Sequence, residues 1–213
     1  MVARQGAVHS GRTRVPDPGG KTDQAEQHDF LTDLNEVVMG LHWAPAERRM
    51  ITAAADLDAM CVLFDAQDRV LEVIFHGNTR NTEGSVVHTG DSRTGASLWD
   101  DERIFVFLGA LPKLVSKVAF VVSSASGHPF QDVRGAFCHI SDRLSEMAWV
   151  RVELTSLVGR TAHVVATLSP GEDGWRMVDE GEAINHRLLA DLSLLTKSAK
   201  AAPPLRACFQ RKQ

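Results

Sequence analysis

The chain of 213 residues has only three cysteines, and none lies in a spacing typical of a metal or redox motif. Cys61, Cys138 and Cys208 are far apart, and no two of them are separated by two residues. Closely spaced cysteine pairs mark zinc sites, and an even set in a short secreted chain marks a disulfide framework. Neither applies here. Because Cys61 and Cys138 lie within apolar runs, we expect buried thiols in a reducing compartment.

The sequence also has no excess of positive charge and no long apolar segment. Its formal net charge is -4 at pH 7, and no basic stripe interleaved with aromatic residues supplies the attraction that dominates nucleic-acid affinity. No run approaches the ~18 apolar residues of a transmembrane helix. The N-terminus has no apolar core of signal-peptide type. We therefore expect no nucleic-acid partner, no membrane span and a cytoplasmic location.

Motifs of common enzyme classes are missing as well. No G-x-x-x-x-G-K or G-x-G-x-x-G loop lies between a strand and a helix, and no Ser or Cys lies in a nucleophile elbow. His88 lies three residues before Asp91. A loop histidine of this kind is more often a hydrogen-bonding residue than a catalyst. We predict that the protein is not an enzyme.

What the sequence does contain is a series of short β-rich runs bounded by Gly, Pro, Asp and Ser. This pattern predicts an all-β fold, a two-sheet β-sandwich. The segment around residues 30–38 also fits a short helix, but we favour a strand there. The predicted strands lie at residues 36–41, 59–64, 70–75, 104–108, 118–122, 136–140, 149–154, 161–168 and 175–178.

One segment near the C-terminus has a helical period instead. Between residues 182 and 195, apolar residues recur every three or four positions, which predicts an amphipathic helix that packs on a sheet edge or an open end of the sandwich. These residues are Ile184, Leu188, Leu189, Leu192 and Leu195.

Composition divides the chain into three parts. Residues 1–30 are rich in Gly, Ser, Pro, Arg and Gln without an apolar period, and this predicts a disordered N-terminal tail. Residues 196–213 contain two adjacent prolines and a basic end, which predicts a flexible C-terminal tail. Residues 31–195 are long enough for one β-sandwich domain.

A long polar segment, residues 76–102, interrupts the β-rich pattern. Loops of more than about a dozen residues are usually functional or disordered. This one ends in three consecutive acids, Asp100, Asp101 and Glu102, which repel one another unless water or a cation screens them. Upstream, Asp56 and Asp58 are two residues apart and so point to one face of a strand.

These acids predict a hard-cation site. Calcium takes six to eight oxygen ligands, whereas magnesium demands a stricter octahedron that a loop-built cage serves less well. The alternative is that the acids cap turns and form a solvated face. The candidate metal ligands are Asp56, Asp58, Asp91, Asp100, Asp101 and Glu102, with Asn78 and loop carbonyls as further donors.

Five segments resemble the tellurium-resistance TerD-like family in their order and approximate spacing. They are VMGLHW at 38–43, DLDA at 56–59, GSVVHTGD at 84–91, DDE at 100–102 and GWR at 174–176. The resemblance covers about residues 36–189. It implies a β-sandwich of two mixed sheets and a calcium-binding, non-enzymatic protein of bacterial stress response linked to tellurite resistance. The expected partners are calcium and proteins of a stress-response complex.

Carried over from the family, the calcium ligands fall on the same six acids, but the loop departs from the family pattern at residues 94–99. Two carboxylates usual there are absent, and Leu98 and Trp99 stand in the segment. Fewer charged ligands imply fewer or weaker calcium sites. An exposed loop Trp often marks a partner contact, although Trp99 folded down over the sandwich is the alternative. The second functional hypothesis is a family member without metal that acts as a protein-interaction module.

Overall fold

The computed structural model describes residues 34–45, 54–178, 185, 188–190 and 192. The predicted tails at residues 1–30 and 196–213 lie outside this part. Three short 3-10 helices connect strands, at Leu108–Ala110, Phe130–Asp132 and Leu154–Ser156. The ten described strands are β1 Glu36–His42, β2 Leu57–Phe64, β3 Val70–Ile74, β4 Val86–His88, β5 Glu102–Phe107, β6 Lys117–Ser124, β7 Phe137–Asp142, β8 Ala148–Glu153, β9 Ala162–Gly171 and β10 Gly174–Val178.

The strands form two five-stranded sheets, in the orders β4-β5-β1-β7-β8 (the first sheet) and β10-β9-β6-β2-β3 (the second sheet). This confirms the predicted two-sheet, all-β architecture. The expectation of mixed sheets is wrong, because every pairing among the described strands is antiparallel. Antiparallel neighbours can be joined by tight turns, and β2–β3, β7–β8 and β9–β10 are joined in this way.

One strand that the sequence pattern did not predict lies inside the polar segment 76–102. β4 spans only three residues and pairs with β5, with Val86 opposite Val106. A run of three residues is too short to display a period of two, so its strand character depends on this pairing. β4 ends at His88 and leads into residues 89–101, which we call the acidic loop.

Strand β5 shows how the core is formed. Its residues alternate between buried and half-buried positions from Glu102 to Phe107, as expected for a strand with one face on the core and one face toward solvent. Ile104 and Val106 point inward and join fully buried residues such as Trp43 and Phe120. The same alternation buries the side chain of Glu102.

Strand β2 differs because all eight of its residues are buried. Leu57 and Leu63 belong to the core between the sheets, whereas Met60 and Val62 face the opposite side and form a second apolar cluster. Residues of the C-terminal helix cover this second cluster, with Leu192 buried in it and Leu188 and Leu189 packed against it.

The described helical residues Leu188, Leu189 and Leu192 therefore pack on the outer face of the second sheet, whereas we expected a position on a sheet edge or an open end. The outer face of β2 carries apolar side chains that need a cover to leave water. The described helical residues are 185, 188–190 and 192, and the rest of the predicted helix at 182–195 lies outside the described part of the chain. Within that part, no helix has the length and apolar character needed to cross a membrane.

Replacing Leu192 tests this packing. Leu192 is only 2% exposed, so Leu192→Ala should lower the free energy of unfolding by about 2–5 kcal/mol through lost burial and an incompletely filled cavity. Urea denaturation measures this. The exposed neighbour Ala190 supplies the control, because Ala190→Ser should change stability by no more than about 0.5 kcal/mol. Equal stabilities of the two variants would contradict the burial of Leu192 against the outer face of the second sheet.

His163 on β9 makes stability depend on pH. Burial lowers its pKa below the ordinary value, and the charge of Arg160 lowers it further. As pH falls below the unfolded-state pKa of about 6.5, His163 becomes protonated in the unfolded chain but not in the native state, so the free energy of unfolding falls. His163→Gln should lose less stability than the unmodified protein between about pH 6.5 and 5. Parallel pH profiles from urea denaturation would contradict this.

Candidate functional site

The first part of the site lies where strand β2 begins. Asp56 immediately precedes the strand and Asp58 is its second residue. Because side chains alternate along a strand, Asp58 lies on the same face as Met60, the outer face of the second sheet. Strand β3 pairs with β2, with Ile74 opposite Cys61, so the chain that follows β3 runs back toward Asp58.

Three side chains from separate segments converge at this point. Asp58, His76 and Asp91 each offer one potential ligand atom, and these three atoms lie within 4.8 Å of one another. His76 Nδ1 lies 3.0 Å from Asp58 Oδ1. Asp91 comes from the acidic loop, where Arg93 Nε donates a 2.9 Å hydrogen bond to its carboxylate. We call these three residues the Asp58 cluster.

Asp56 adds a further negative charge beside the Asp58 cluster. Burial raises the pKa of Asp56, and the charges of Asp58 and Asp91 raise it further. Among the described residues, the buried atoms Asp56 Oδ1 and His76 Nδ1 have no hydrogen-bond partner. A buried polar atom without a partner costs roughly 1–3 kcal/mol. The arrangement thus combines several negative charges with potential ligand atoms that have no hydrogen-bond partner. A bound cation would offset the charge and coordinate these atoms.

Asp101 has a different role, because its buried carboxylate accepts hydrogen bonds from the backbone. Its Oδ2 accepts the Trp43 N–H at 3.1 Å and its Oδ1 accepts the Ser97 N–H at 3.0 Å. His42 Nδ1 lies 3.0 Å from Oδ2. These contacts tie the acidic loop to the end of β1.

Glu102 links the same loop to the second sheet. Its Oε2 accepts the Ala59 N–H at 2.8 Å, and its Oε1 accepts the Ser92 N–H at 3.2 Å. The side chain is fully buried, as is His88, whose Nε2 lies 3.4 Å from Oε2. His88 Nδ1 accepts the Gly90 N–H at 3.0 Å, which leaves the imidazole hydrogen on Nε2, facing Glu102.

Asp100 lies on the other side of the sandwich, on the outer face of the first sheet. His139 Nε2 is 3.1 Å from its carboxylate, and Arg103 Nε donates a 2.7 Å hydrogen bond to it. Although burial acts to raise the pKa of Asp100, the hydrogen bonds and charges of His139 and Arg103 hold it below its ordinary value. The Asp100–His139 contact lies directly over Gly40 of β1, where a Cβ atom would overlap both the imidazole and the carboxylate.

An open groove of about 550 Å³ extends from Asp100 along the first sheet. Leu98 and Trp99 lie on its rim and are 95% and 78% exposed. The alternative that Trp99 folds down over the sandwich is therefore wrong. The backbone of Trp99 is fixed, because its carbonyl oxygen lies 2.7 Å from His42 Nδ1 and its N–H donates to Ser97 Oγ. Other residues that line the groove include Arg103, Phe105, Phe137, Arg143 and Arg151.

The six acids predicted from the sequence thus have three different environments. Asp56, Asp58 and Asp91 lie together, Asp101 and Glu102 anchor the loop, and Asp100 pairs on the opposite face. His76 was missed as a potential ligand because it is one of nine histidines in the chain. The available signal was its position directly after the predicted strand 70–75, which pairs with the strand that contains Asp58.

The fold and the site define a two-sheet antiparallel β-sandwich with an acidic loop packed onto its strand ends. The sequence model of the TerD domain family matches residues 20–193. The chain therefore belongs to the TerD family. It is 34% identical over 167 residues to tellurium resistance protein TerZ of Serratia marcescens, covering 75% of this chain and 86% of that protein. The family expected from the sequence is confirmed.

Two further comparisons agree with this family. The chain is 33% identical over 128 residues to general stress protein 16U of Bacillus subtilis (strain 168), covering 57% of this chain and 66% of that protein. The fold is similar to the crystal structure of a homologue of telluride resistance protein (TerD) from Streptomyces coelicolor A3(2). The TM-score is 0.62 at 20% identity, with 74% of this chain and 95% of that chain covered. This is a family of tellurium-resistance and stress-response proteins.

The Asp100–His139 contact over Gly40 can be tested by filling the space there. Gly40→Ala should displace the Asp100–His139 pair and lower the free energy of unfolding by about 1–3 kcal/mol, as overpacking usually does. Gly109→Ala is the matched control, because a Cβ there meets nothing within 4 Å. Urea denaturation compares the two. A Gly40→Ala variant as stable as Gly109→Ala would contradict the described contact.

Proposed function

We propose that this TerD-family protein is a non-enzymatic calcium-binding protein, and that the carboxylates of Asp56, Asp58 and Asp91 supply its ion ligands. The observation that carries the proposal is that potential ligand atoms of Asp58, Asp91 and His76 lie within 4.8 Å of one another. Asp56 is close enough for its pKa to be raised by both other acids, and its buried Oδ1 has no hydrogen-bond partner among the described residues. Carboxylate oxygens are the ligands that calcium prefers. The donor set therefore fits a calcium ion, with loop carbonyls and water as the source of further ligands.

Electrostatics supports the same conclusion. The charged form of Asp56 is disfavoured by burial and by Asp58 and Asp91, and a divalent cation would reverse this effect by offsetting the crowded negative charge. The ion would also join the loop residue Asp91 to the beginning of β2. Glu102 holds the neighbouring Ser92 N–H, so part of the cost of ordering the loop is already met before the ion binds.

The absence of enzymatic activity is part of the proposal and is supported by the position of His88. A catalytic imidazole needs access to a substrate, but the His88 side chain is fully buried and its two nitrogens face Gly90 and Glu102. The cysteines support a cytoplasmic location, because Cys61 and Cys138 are free and buried. Burial raises the pKa of Cys138 to about 12, so its thiol stays protonated and unreactive.

A second candidate function is a protein-interaction module of a stress-response complex. Trp99 and Leu98 favour it, since both are highly exposed at the rim of the groove. If this role is correct, a partner that copurifies with the unmodified protein should be lost from Trp99→Ala, while calcium binding remains. A partner retained equally by both proteins would place the contact elsewhere.

Replacing Asp56 tests the electrostatic argument. An acid whose folded-state pKa is raised loses native stability as pH rises above its unfolded-state pKa of about 3.9. In metal-free solution at pH 7, Asp56→Asn should therefore have a higher melting temperature than the unmodified protein. Saturating calcium should raise the melting temperature less in the variant, because one charged ligand is missing.

Thermal unfolding with a chelator and with calcium measures both effects. Asp173→Asn is a suitable control, because Asp173 is an exposed residue in the β9–β10 turn. A metal-free Asp56→Asn variant less stable than both other proteins would contradict the crowding of negative charge.

Calorimetric titration of the metal-stripped protein tests calcium binding itself. We expect saturable binding that is lost in Asp58→Asn and in Asp91→Asn but kept in Asp100→Asn, since Asp100 pairs with His139 and Arg103 instead. The unmodified protein at a free calcium concentration of 100 times Kd should gain about 2.7 kcal/mol of stability. Absence of binding heat and of any melting shift would defeat the calcium proposal.

A further inference from the structure

We propose that the Asp58 cluster also binds a borderline transition-metal cation, with Zn²⁺ as the best-fitting ion, through His76 Nδ1, and binds it more tightly than calcium. The inference rests on the proposed function in so far as the same site holds a divalent cation. It concerns a residue that the calcium interpretation leaves without a role.

The position of His76 is the first argument. Its Nδ1 atom lies 3.0 Å from Asp58 Oδ1, and both atoms belong to side chains that are largely buried. The geometry gives this nitrogen no hydrogen-bond partner among the described residues. The potential ligand atoms of His76, Asp58 and Asp91 all lie within 4.8 Å of one another, so one cation placed between them can contact all three side chains.

The orientation of the imidazole is also fixed by its surroundings. The ring of the buried Phe75 packs against that of His76 edge-on, with 5.1 Å between ring centroids. The backbone before it is held as well, because the N–H of Phe75 donates to the Asn78 carbonyl and the N–H of Asn78 donates to the Phe75 carbonyl. A preoriented imidazole loses little conformational freedom when it binds a metal.

The donor set decides the class of cation. Calcium is a hard ion that takes oxygen ligands, whereas imidazole nitrogen suits zinc and its first-row neighbours. One imidazole and two carboxylates make three protein ligands, and zinc sites with three protein ligands leave a fourth position for water or another group. Asp56 adds negative charge beside these ligands. The result is an anionic site with one imidazole nitrogen among its donors.

Metal titrations of tag-free, metal-stripped protein test the inference. Zinc and calcium are titrated separately by calorimetry, and Co²⁺ reports nitrogen ligation and tetrahedral geometry through its visible absorption. The informative variant is His76→Asn, which replaces the nitrogen donor by a smaller side chain that offers an amide oxygen. His163→Gln is the control, because it removes an imidazole from β9 outside the Asp58 cluster.

We expect zinc to bind the unmodified protein at least about tenfold more tightly than calcium. His76→Asn should weaken zinc binding by about 10- to 100-fold, remove the cobalt spectrum, and leave calcium affinity within about threefold because the carboxylates remain. His163→Gln should match the unmodified protein in all three measurements.

The outcomes separate this inference from the calcium proposal. Zinc affinity unchanged in His76→Asn, or calcium binding more tightly than zinc, would overturn the inference and leave the calcium proposal standing. Zinc binding that depends on both His76 and Asp58, in a protein that binds no calcium, would support the inference and overturn the calcium proposal.

Discussion

The buried carboxylate of Glu102 is the interaction on which the rest of the site depends. It belongs to β5 of the first sheet, accepts the N–H of Ala59 in β2 of the second sheet, and also accepts the N–H of Ser92 in the acidic loop. Removing a carboxylate from water is costly unless hydrogen bonds compensate. Glu102 belongs to the first sheet, and its two partners belong to the second sheet and the loop. The carboxylate is therefore satisfied only when these three parts are correctly placed.

The carboxylate of the neighbouring Asp101 is also satisfied by backbone hydrogen bonds, one of which comes from the residue that follows β1. Its carboxylate accepts the backbone N–H groups of Trp43 and Ser97, so the loop is attached on two sides before any ligand is considered. Asp101 and Glu102, which the sequence predicts as metal ligands, thus accept backbone hydrogen bonds that attach the loop carrying Asp91. The loop is shaped by charge-assisted hydrogen bonds and carries its apolar residues Leu98 and Trp99 outward.

The Asp58 cluster differs from these two acids, because it brings two carboxylates and an imidazole together beside a third acid, Asp56. Burial and the neighbouring acids disfavour ionisation of Asp56, and the buried atoms Asp56 Oδ1 and His76 Nδ1 have no hydrogen-bond partner among the described residues. Structures tolerate such local cost where the surrounding fold enforces it, commonly at sites that bind ligands. Here the enforcing elements are β2, the end of β3 and the loop anchored by Asp101 and Glu102.

The sequence by itself determined the all-β class, nine of the ten described strands and the helical character around Leu188–Leu192, because these depend on local periods of two and 3.6 residues. Its quoted segments also determined the family. Only the tertiary structure decided that the helix covers a sheet face, that β4 is a strand, and that six acids separate into three environments. The physical reason is that each of these depends on contacts between segments that are separate in the chain, such as His139 with Asp100 or His76 with Asp58, and such contacts do not appear in the local spacing of residues.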